Sequence, residues 1–295
     1  MLHRVVSLVL ALALLACGQR GEPRAASPLT DDFGATIRPG TTAHPARIVS
    51  LSPATTELLF AIGAGPRVVG RTHWDRWPDS ARYAADVGPG LRPNVEAVLE
   101  LRPDLVILYA SEDNRAAARQ LAGAGVTVLA LKVDRIEDFR RAARLLGVAV
   151  GEPARARTVV DSVDRTLARV RAATSALPRP TVFWHVWDAP VITIGRGSYL
   201  DELLQIAGGR NVYGDDPSPS PQVSLEDVIR RDPDVILAGA EGAARIRESA
   251  QWRSVGAVRR RRVLVVDTGL VGRPSVRMGE AAVSLARLLH PAALK

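Results

Sequence analysis

Asn94-Val95-Glu96-Ala97-Val98-Leu99, running on to Arg102-Pro103-Asp104-Leu105-Val106-Ile107-Leu108, recurs in the second half as Ser224-Leu225-Glu226-Asp227-Val228-Ile229, running on to Asp232-Pro233-Asp234-Val235-Ile236-Leu237. Each copy reads as a capping residue, a short helix, a Pro-Asp break and a buried apolar strand. The shared offset across all of these argues for two similar lobes. It also puts Glu96 and Glu226 in equivalent places. A second match supports duplication: Glu57-Leu58-Leu59 before Gly63, against Glu202-Leu203-Leu204 before Gly208. The two matches occur in the same order.

Outward from the first copy, strands and helices alternate. Ile48 to Leu51 reads as a strand, and Ser52-Pro53 opens a helix that stops at Gly63. Proline in the first helical turn and glycine after the last are the usual punctuation. Strands follow at Val68–Gly70, Leu105–Leu108 and Val126–Leu131, with helices near 114–122 and 136–146. Beyond a long helical stretch from Pro153 to Ala176, strands resume at Thr181–Trp184, Val235–Leu237 and Val263–Val266, and the stretch Val212-Tyr213-Gly214 mirrors Val68-Val69-Gly70. Short strands separated by helices predict an α/β fold with parallel sheets covered on both faces. The expected division is a signal peptide over 1–17, a flexible tether over 18–45, an N-terminal lobe over 46–150, a connecting helix over 151–178 and a C-terminal lobe over 179–295.

The ends indicate export. His3 and Arg4 precede an apolar run from Val5 to Ala16, the pattern of a secretory signal. Leu14-Leu15-Ala16-Cys17-Gly18 matches a bacterial lipobox, so Cys17 is the expected lipidation site. It is the only cysteine, and the mature domain has no partner for an internal disulfide. A formal charge of +8 invites a nucleic-acid reading. The positive charge is nearly all arginine and is spread along the chain, and an exported protein rarely meets nucleic acid, so that class is set aside. The run Arg259-Arg260-Arg261-Arg262 reads as a solvated turn.

Catalytic signatures are scarce. There is no Gly-x-Ser-x-Gly elbow and no phosphate-binding glycine loop, and Gly63-x-Gly65 fits a helix terminus and turn. His73 and His185, with Asp75 and Asp188 nearby, fall short of a tight metal set. Neither a metal nor a cofactor is expected. Four of five tryptophans fall in two clusters, His73-Trp74-Asp75-Arg76-Trp77 and Trp184-His185-Val186-Trp187-Asp188. Trp77 and Trp184 read as core residues. Trp74 and Trp187 sit where strands give way to loops, the side on which parallel sheets bind ligands. Facing aromatic platforms suit a large, flat, partly apolar ligand.

Arg47-Ile48-Val49-Ser50-Leu51-Ser52-Pro53-Ala54-Thr55-Thr56-Glu57-Leu58, Leu101-Arg102-Pro103-Asp104-Leu105-Val106 and Pro221-Gln222-Val223-Ser224-Leu225-Glu226 carry a family likeness. The span from Arg47 to Leu289 resembles the iron-chelate and vitamin B12 substrate-binding proteins of ABC transporters. The resemblance implies two Rossmann-like lobes joined by one long helix, with the ligand between them. It implies a monomeric binding protein, no enzyme, that hands a corrinoid such as cobalamin to a permease dimer. The ligand contacts would be Ser52, Pro53, Trp74, Trp187 and Arg273, and Glu96 and Glu226 would meet arginines on the two permease copies. Membrane contact would run only through the lipid anchor. Ser220 and Gly269 depart from the pattern, where an aromatic and an acidic cleft residue are usual. Haem or a ferric siderophore is the alternative ligand; haem would use His73, His185 or Tyr199 as an axial ligand, and a siderophore would use Arg76, Arg196 and Arg273. An enzyme acting on a tetrapyrrole is the alternative from another class.

Overall fold

In order along the chain, the strands of the computed structural model are β1 (Leu29–Thr30), β2 (Thr36–Ile37), β3 (Ile48–Ser50), β4 (Val68–Arg71), β5 (Ala85–Asp86), β6 (Leu105–Tyr109), β7 (Thr127–Leu131), β8 (Thr181–Trp184), β9 (Arg210–Asn211), β10 (Val235–Ala238) and β11 (Val263–Val265). The structure describes residues 29–37 and 44–292. The signal segment and Cys17 lie outside the described residues.

Strands β3 to β7 form a five-stranded parallel sheet in the order β5-β4-β3-β6-β7, and β8 to β11 form a four-stranded one in the order β11-β10-β8-β9. Chain order runs outward from the middle strand in both directions, which is the doubly wound arrangement. The second sheet repeats the first without the edge strand β5. In each, the first strand (β3, β8) lies beside the strand that follows the repeated helix (β6, β10). The strand order reverses between those two, and ligands bind outside the carboxyl ends at such a switch point.

The repeated Pro-Asp has a structural reason. Arg102 and Asp232 both take left-handed backbone after the short helix, with φ of 45° and 36°. The following aspartates then turn onto the start of their lobe's first strand. Asp104 accepts the Ala46 and Arg47 N–H groups, each at 2.8 Å. Asp234 accepts from the Thr181 N–H at 2.8 Å and from its hydroxyl at 2.7 Å. These bonds hold Asp234 ionised, its carboxyl below the ordinary range. Asp234→Ala is expected to lower stability by about 1 kcal/mol, measured by denaturant unfolding.

One helix, Pro153–Thr174, joins the lobes. Its buried face (Val163, Leu167, Val170) packs on helix Ile136–Ala149 of the first lobe and helix Met278–Leu289 of the second. One hydrophobic cluster therefore runs from Ile48 through Val163 to Leu289 and spans both lobes. Glycine permits the close approach on each side: a β-carbon on Gly147 would stand 2.6 Å from that of Ala156, and one on Gly279 would stand 2.9 Å from Thr166. The two sheets bury their other faces in separate clusters, around Val106 and Leu108 in one and Phe183 and Ile236 in the other.

Two details depart from the sequence reading. Residues 29–37, within the stretch expected as tether, form an antiparallel hairpin on the edge of the first sheet. Asp31 accepts from Ala130 N–H at 2.8 Å and Asp32 from Lys132 N–H at 2.7 Å, so two aspartates replace a strand partner for β7. The second strand of the C-terminal lobe is Arg210–Asn211, pairing with Thr181 and Val182, so Val212–Gly214 falls in the turn beyond it. Its counterpart, by contrast, holds Val68–Gly70 within β4.

Candidate functional site

The carboxyl ends of β3, β4 and β6 enclose a cavity of about 340 Å³ lined by Leu51, Ser52, Pro53, Thr72, Trp74, Pro89, Gly90, Leu91 and Tyr109. Three predicted contacts, Ser52, Pro53 and Trp74, thus meet in one place. Thr72, Leu91 and Tyr109 are additional. Tyr109 directly follows the quoted stretch and is the last residue of β6, and its position at a carboxyl end was the available signal. Its hydroxyl donates to Asp134 at 2.8 Å, which holds the ring at the cavity edge. Burial and this bond raise its pKa beyond the ordinary tyrosine value.

Trp74 is presented by a tight turn. The buried Asp75 carboxylate accepts the Thr72 N–H at 2.8 Å and also the Thr72 hydroxyl, while Trp74 N–H donates to that hydroxyl at 3.2 Å. Asp75 is therefore turned inward, its pKa raised by burial, and does not face a metal site. The turn leaves Trp74 54% exposed, with His73 against it at 4.4 Å between ring centroids. Trp77 is not a core residue: it is half-buried beneath the Arg277 guanidinium, 5.3 Å from its ring centroid.

On the other lobe, Trp184 is buried in the core and Trp187 stands 61% exposed on the loop after β8. An antiparallel bridge to Ile192, itself bridged to Gln222, props up that loop. Neither Trp187 nor Arg273 lines the cavity of the first lobe. Arg273 follows β11 and reaches across to Glu57, with Nη1 donating to Oε1 at 3.0 Å. Glu57 is 1% exposed; burial raises its pKa, and Ser275 and Arg273 work against that shift. A larger hollow of about 820 Å³ lies beside the long helix, away from the strand ends. Two of its three arginines are engaged, Arg140 by Asp164 at 2.8 Å and Arg179 by the Gly209 carbonyl, and no tryptophan lines it, so the strand ends are the better candidate.

His185 is buried between Phe183 and Trp252, with Nε2 2.9 Å from Asp188 but poorly aligned for a hydrogen bond. Arg245 holds the other side of Asp188. Burial lowers the His185 pKa from 6.5, against the pull of Asp188. The folded chain thus favours neutral imidazole. That contribution to stability is complete above the ordinary histidine value and is lost as pH falls through the lower folded one. His185→Gln should cost ~1 kcal/mol near neutrality through lost aromatic contacts. The gap to wild type in thermal unfolding should narrow from pH of about 7.5 to about 5. Among the described residues, no three His, Cys, Asp or Glu side chains group as a metal site.

Glu96 and Glu226 are exposed in the first turn of their helices, Val95–Glu100 and Leu225–Arg231. Asn94 caps one by accepting Ala97 N–H and Ser224 caps the other by accepting Asp227 N–H. Both glutamates are free of ion pairs with described residues. Backbone and Ser224 hydrogen bonds hold the Glu226 carboxyl below its ordinary range. A helix that leads into a parallel strand starts at the carboxyl-end side of the sheet. Both glutamates therefore share the cleft-mouth side, a few residues after the cavity-lining Leu91 and the bridged Gln222. The arginine run 259–262 instead precedes β11 at the opposite end, with Arg260 bonded to the Pro233 carbonyl at 3.0 Å.

A family model described as periplasmic binding protein matches residues 48–269. The chain belongs to the periplasmic binding protein family. It is 29% identical to an ABC transporter substrate-binding lipoprotein of Bacillus subtilis over 98% of this chain and 97% of the relative. A vitamin B12-binding protein of Salmonella paratyphi A is 29% identical over 70% of this chain and 77% of its own length. Among solved structures, a periplasmic haem-binding protein from Pseudomonas aeruginosa superposes with a TM-score of 0.76 at 26% identity, covering 84% of this chain and 94% of that one. Two parallel-sheet lobes on one long helix are thus the family's α/β fold. No described helix is long and apolar enough to cross a membrane.

Proposed function

We propose that this periplasmic binding protein captures a corrinoid between its lobes and delivers it to an ABC importer. The observation that carries the reading is the pair of exposed tryptophans, 54% and 61% accessible, on strand-end loops of opposite lobes. Exposed indoles at strand ends offer flat apolar surface to a ring system, while Ser52 and Arg273 offer polar groups for amide side arms. The likeness to a vitamin B12-binding protein supports the same ligand class. Export, lipidation at Cys17 and a monomer handing its cargo to a permease dimer complete the proposal, as does the division into two lobes, a connecting helix and a lipid-anchored leader.

Titration of the purified chain with cyanocobalamin, followed by calorimetry and absorbance, is expected to show saturable binding. Absence of heat and of spectral change at high micromolar ligand would sink the reading. Haem is the second reading, favoured by the exposed His73 ring beside Trp74. His185, buried beside Asp188, and Tyr199, also buried, are poorly placed as axial ligands. A Soret shift with haem, lost in His73→Ala and outcompeting cyanocobalamin, would replace the corrinoid reading.

A further inference from the structure

The matched glutamates Glu57 and Glu202 each reach a cation on the opposite lobe. Glu57 lies on the helix after β3 and meets Arg273, in the segment between β11 and the last helix of the second lobe. Glu202 lies on helix Tyr199–Ile206 after β8 and meets Arg135, between β7 and helix Ile136–Ala149, the last of the first lobe. Exchanging the two lobes maps one pair onto the other. Each pair is backed by further contacts across the same gap: Ile136 N–H donates to Glu202 at 3.3 Å, and Arg135 donates to the Gly197 carbonyl at 3.3 Å. On the other side, Tyr199 of the second lobe is buried close enough to Glu57 for the carboxylate to raise its phenol pKa.

We propose that Glu57–Arg273 and Glu202–Arg135 are reciprocal clamps that set the angle between the lobes, and so the width of the cleft, before any ligand arrives. A single connecting helix fixes the lobes along one line but leaves twisting and rocking about it. Two charge pairs, each with one member per lobe, restrict that freedom, because a lobe cannot rotate against the other without changing the separation in at least one pair. The Glu57 pair is poorly explained as a source of stability. Its carboxylate is desolvated, and buried pairs often gain no more than their desolvation costs. Holding a geometry accounts for its presence, since a narrowly distributed lobe angle spares the ligand the cost of selecting one.

The test reads geometry directly and needs no ligand, so it stands or falls independently of the corrinoid reading. In a Cys17→Ser chain, spin labels at Tyr83→Cys and Glu248→Cys, exposed on opposite lobes, report the inter-lobe distance by double electron–electron resonance. Glu57→Gln with Glu202→Gln is expected to broaden the distance distribution at least twofold, with single variants in between. Reversing a pair (Glu202→Arg with Arg135→Glu) should restore most of the narrow distribution. That pair is part-exposed and should fold even if reversal at the buried Glu57 does not. A folded double variant with the wild-type distribution would overturn the proposal, as would broadening that the reversed pair leaves unchanged.

Discussion

Replacing Glu96 and Glu226 together by arginine is expected to abolish delivery to the permease, at least about 100-fold in transport, while leaving ligand affinity within about twofold. Both side chains are exposed and unpaired among the described residues, so the exchange removes no internal contact. Each sits in the first turn of a helix, where a cation is unfavourable but only slightly so at the surface. Stability should therefore change little. Docking should change much, because two carboxylates presented on the cleft-mouth side become two cations. If the permease offers arginines, attraction turns to repulsion at both ends of the contact. Single variants should each lose less than half of the logarithmic effect, since one correct end still guides encounter. Proteoliposome uptake with purified permease, beside calorimetry on the binding protein alone, separates the two quantities. A fall in ligand affinity without a fall in docking would move the glutamates from the transporter contact to the cleft.

The lobes were legible because duplication writes the same local physics twice. A capped helix, a left-handed residue and an aspartate that caps the next strand's neighbour recur with the same spacing, and the paired apolar strands follow. What the repeat could not show was the destination of each side chain. Asp104 and Asp234 read as turn residues, yet they fasten the starts of strands through Arg47 and Thr181, 57 and 53 residues earlier. Asp31 and Asp32 read as tether because their acceptor role depends on the bare edge of β7, about a hundred residues on. Glu57 read as one letter of a helix match; its partner lies 216 residues away and on the other lobe. Local pattern carries local structure well. Pairing across lobes leaves no period in the chain.

Within the site the same division holds. Trp74 stood out because indoles are few and cluster beside strand ends. Trp77, three positions on, read as a core residue but is only half-buried under Arg277, a contact between distant parts of the chain. Tyr109 was overlooked because it closes an apolar run and looks like one more strand residue. Arg273 was expected to face a ligand, and one of its nitrogens is committed to Glu57. The donors left over are those a ligand can use.

Trp74→Ala should weaken ligand binding by roughly 30-fold with little loss of stability. A flat ring laid on the indole would cover about 80 Å² of apolar surface, which at 25 cal/mol/Å² is about 2 kcal/mol. The side chain is more than half exposed without ligand, so truncation leaves no cavity behind. The turn beneath it is held by Thr72 and Asp75 through backbone and hydroxyl groups, which alanine at 74 leaves in place. Phenylalanine keeps a smaller platform and should lose only about threefold. Trp187→Ala should weaken binding by a similar factor from the opposite lobe. If one ring system is sandwiched between the two indoles, losing either exposes a face of the same ligand. The double variant then falls short of the product of the singles, a coupling that independent sites do not show. Calorimetric Kd values for the four proteins, with thermal unfolding as the control for folding, decide the matter. Equal affinity in Trp74→Ala and wild type would place the cargo away from the strand ends of the first lobe and remove the observation on which the corrinoid reading stands.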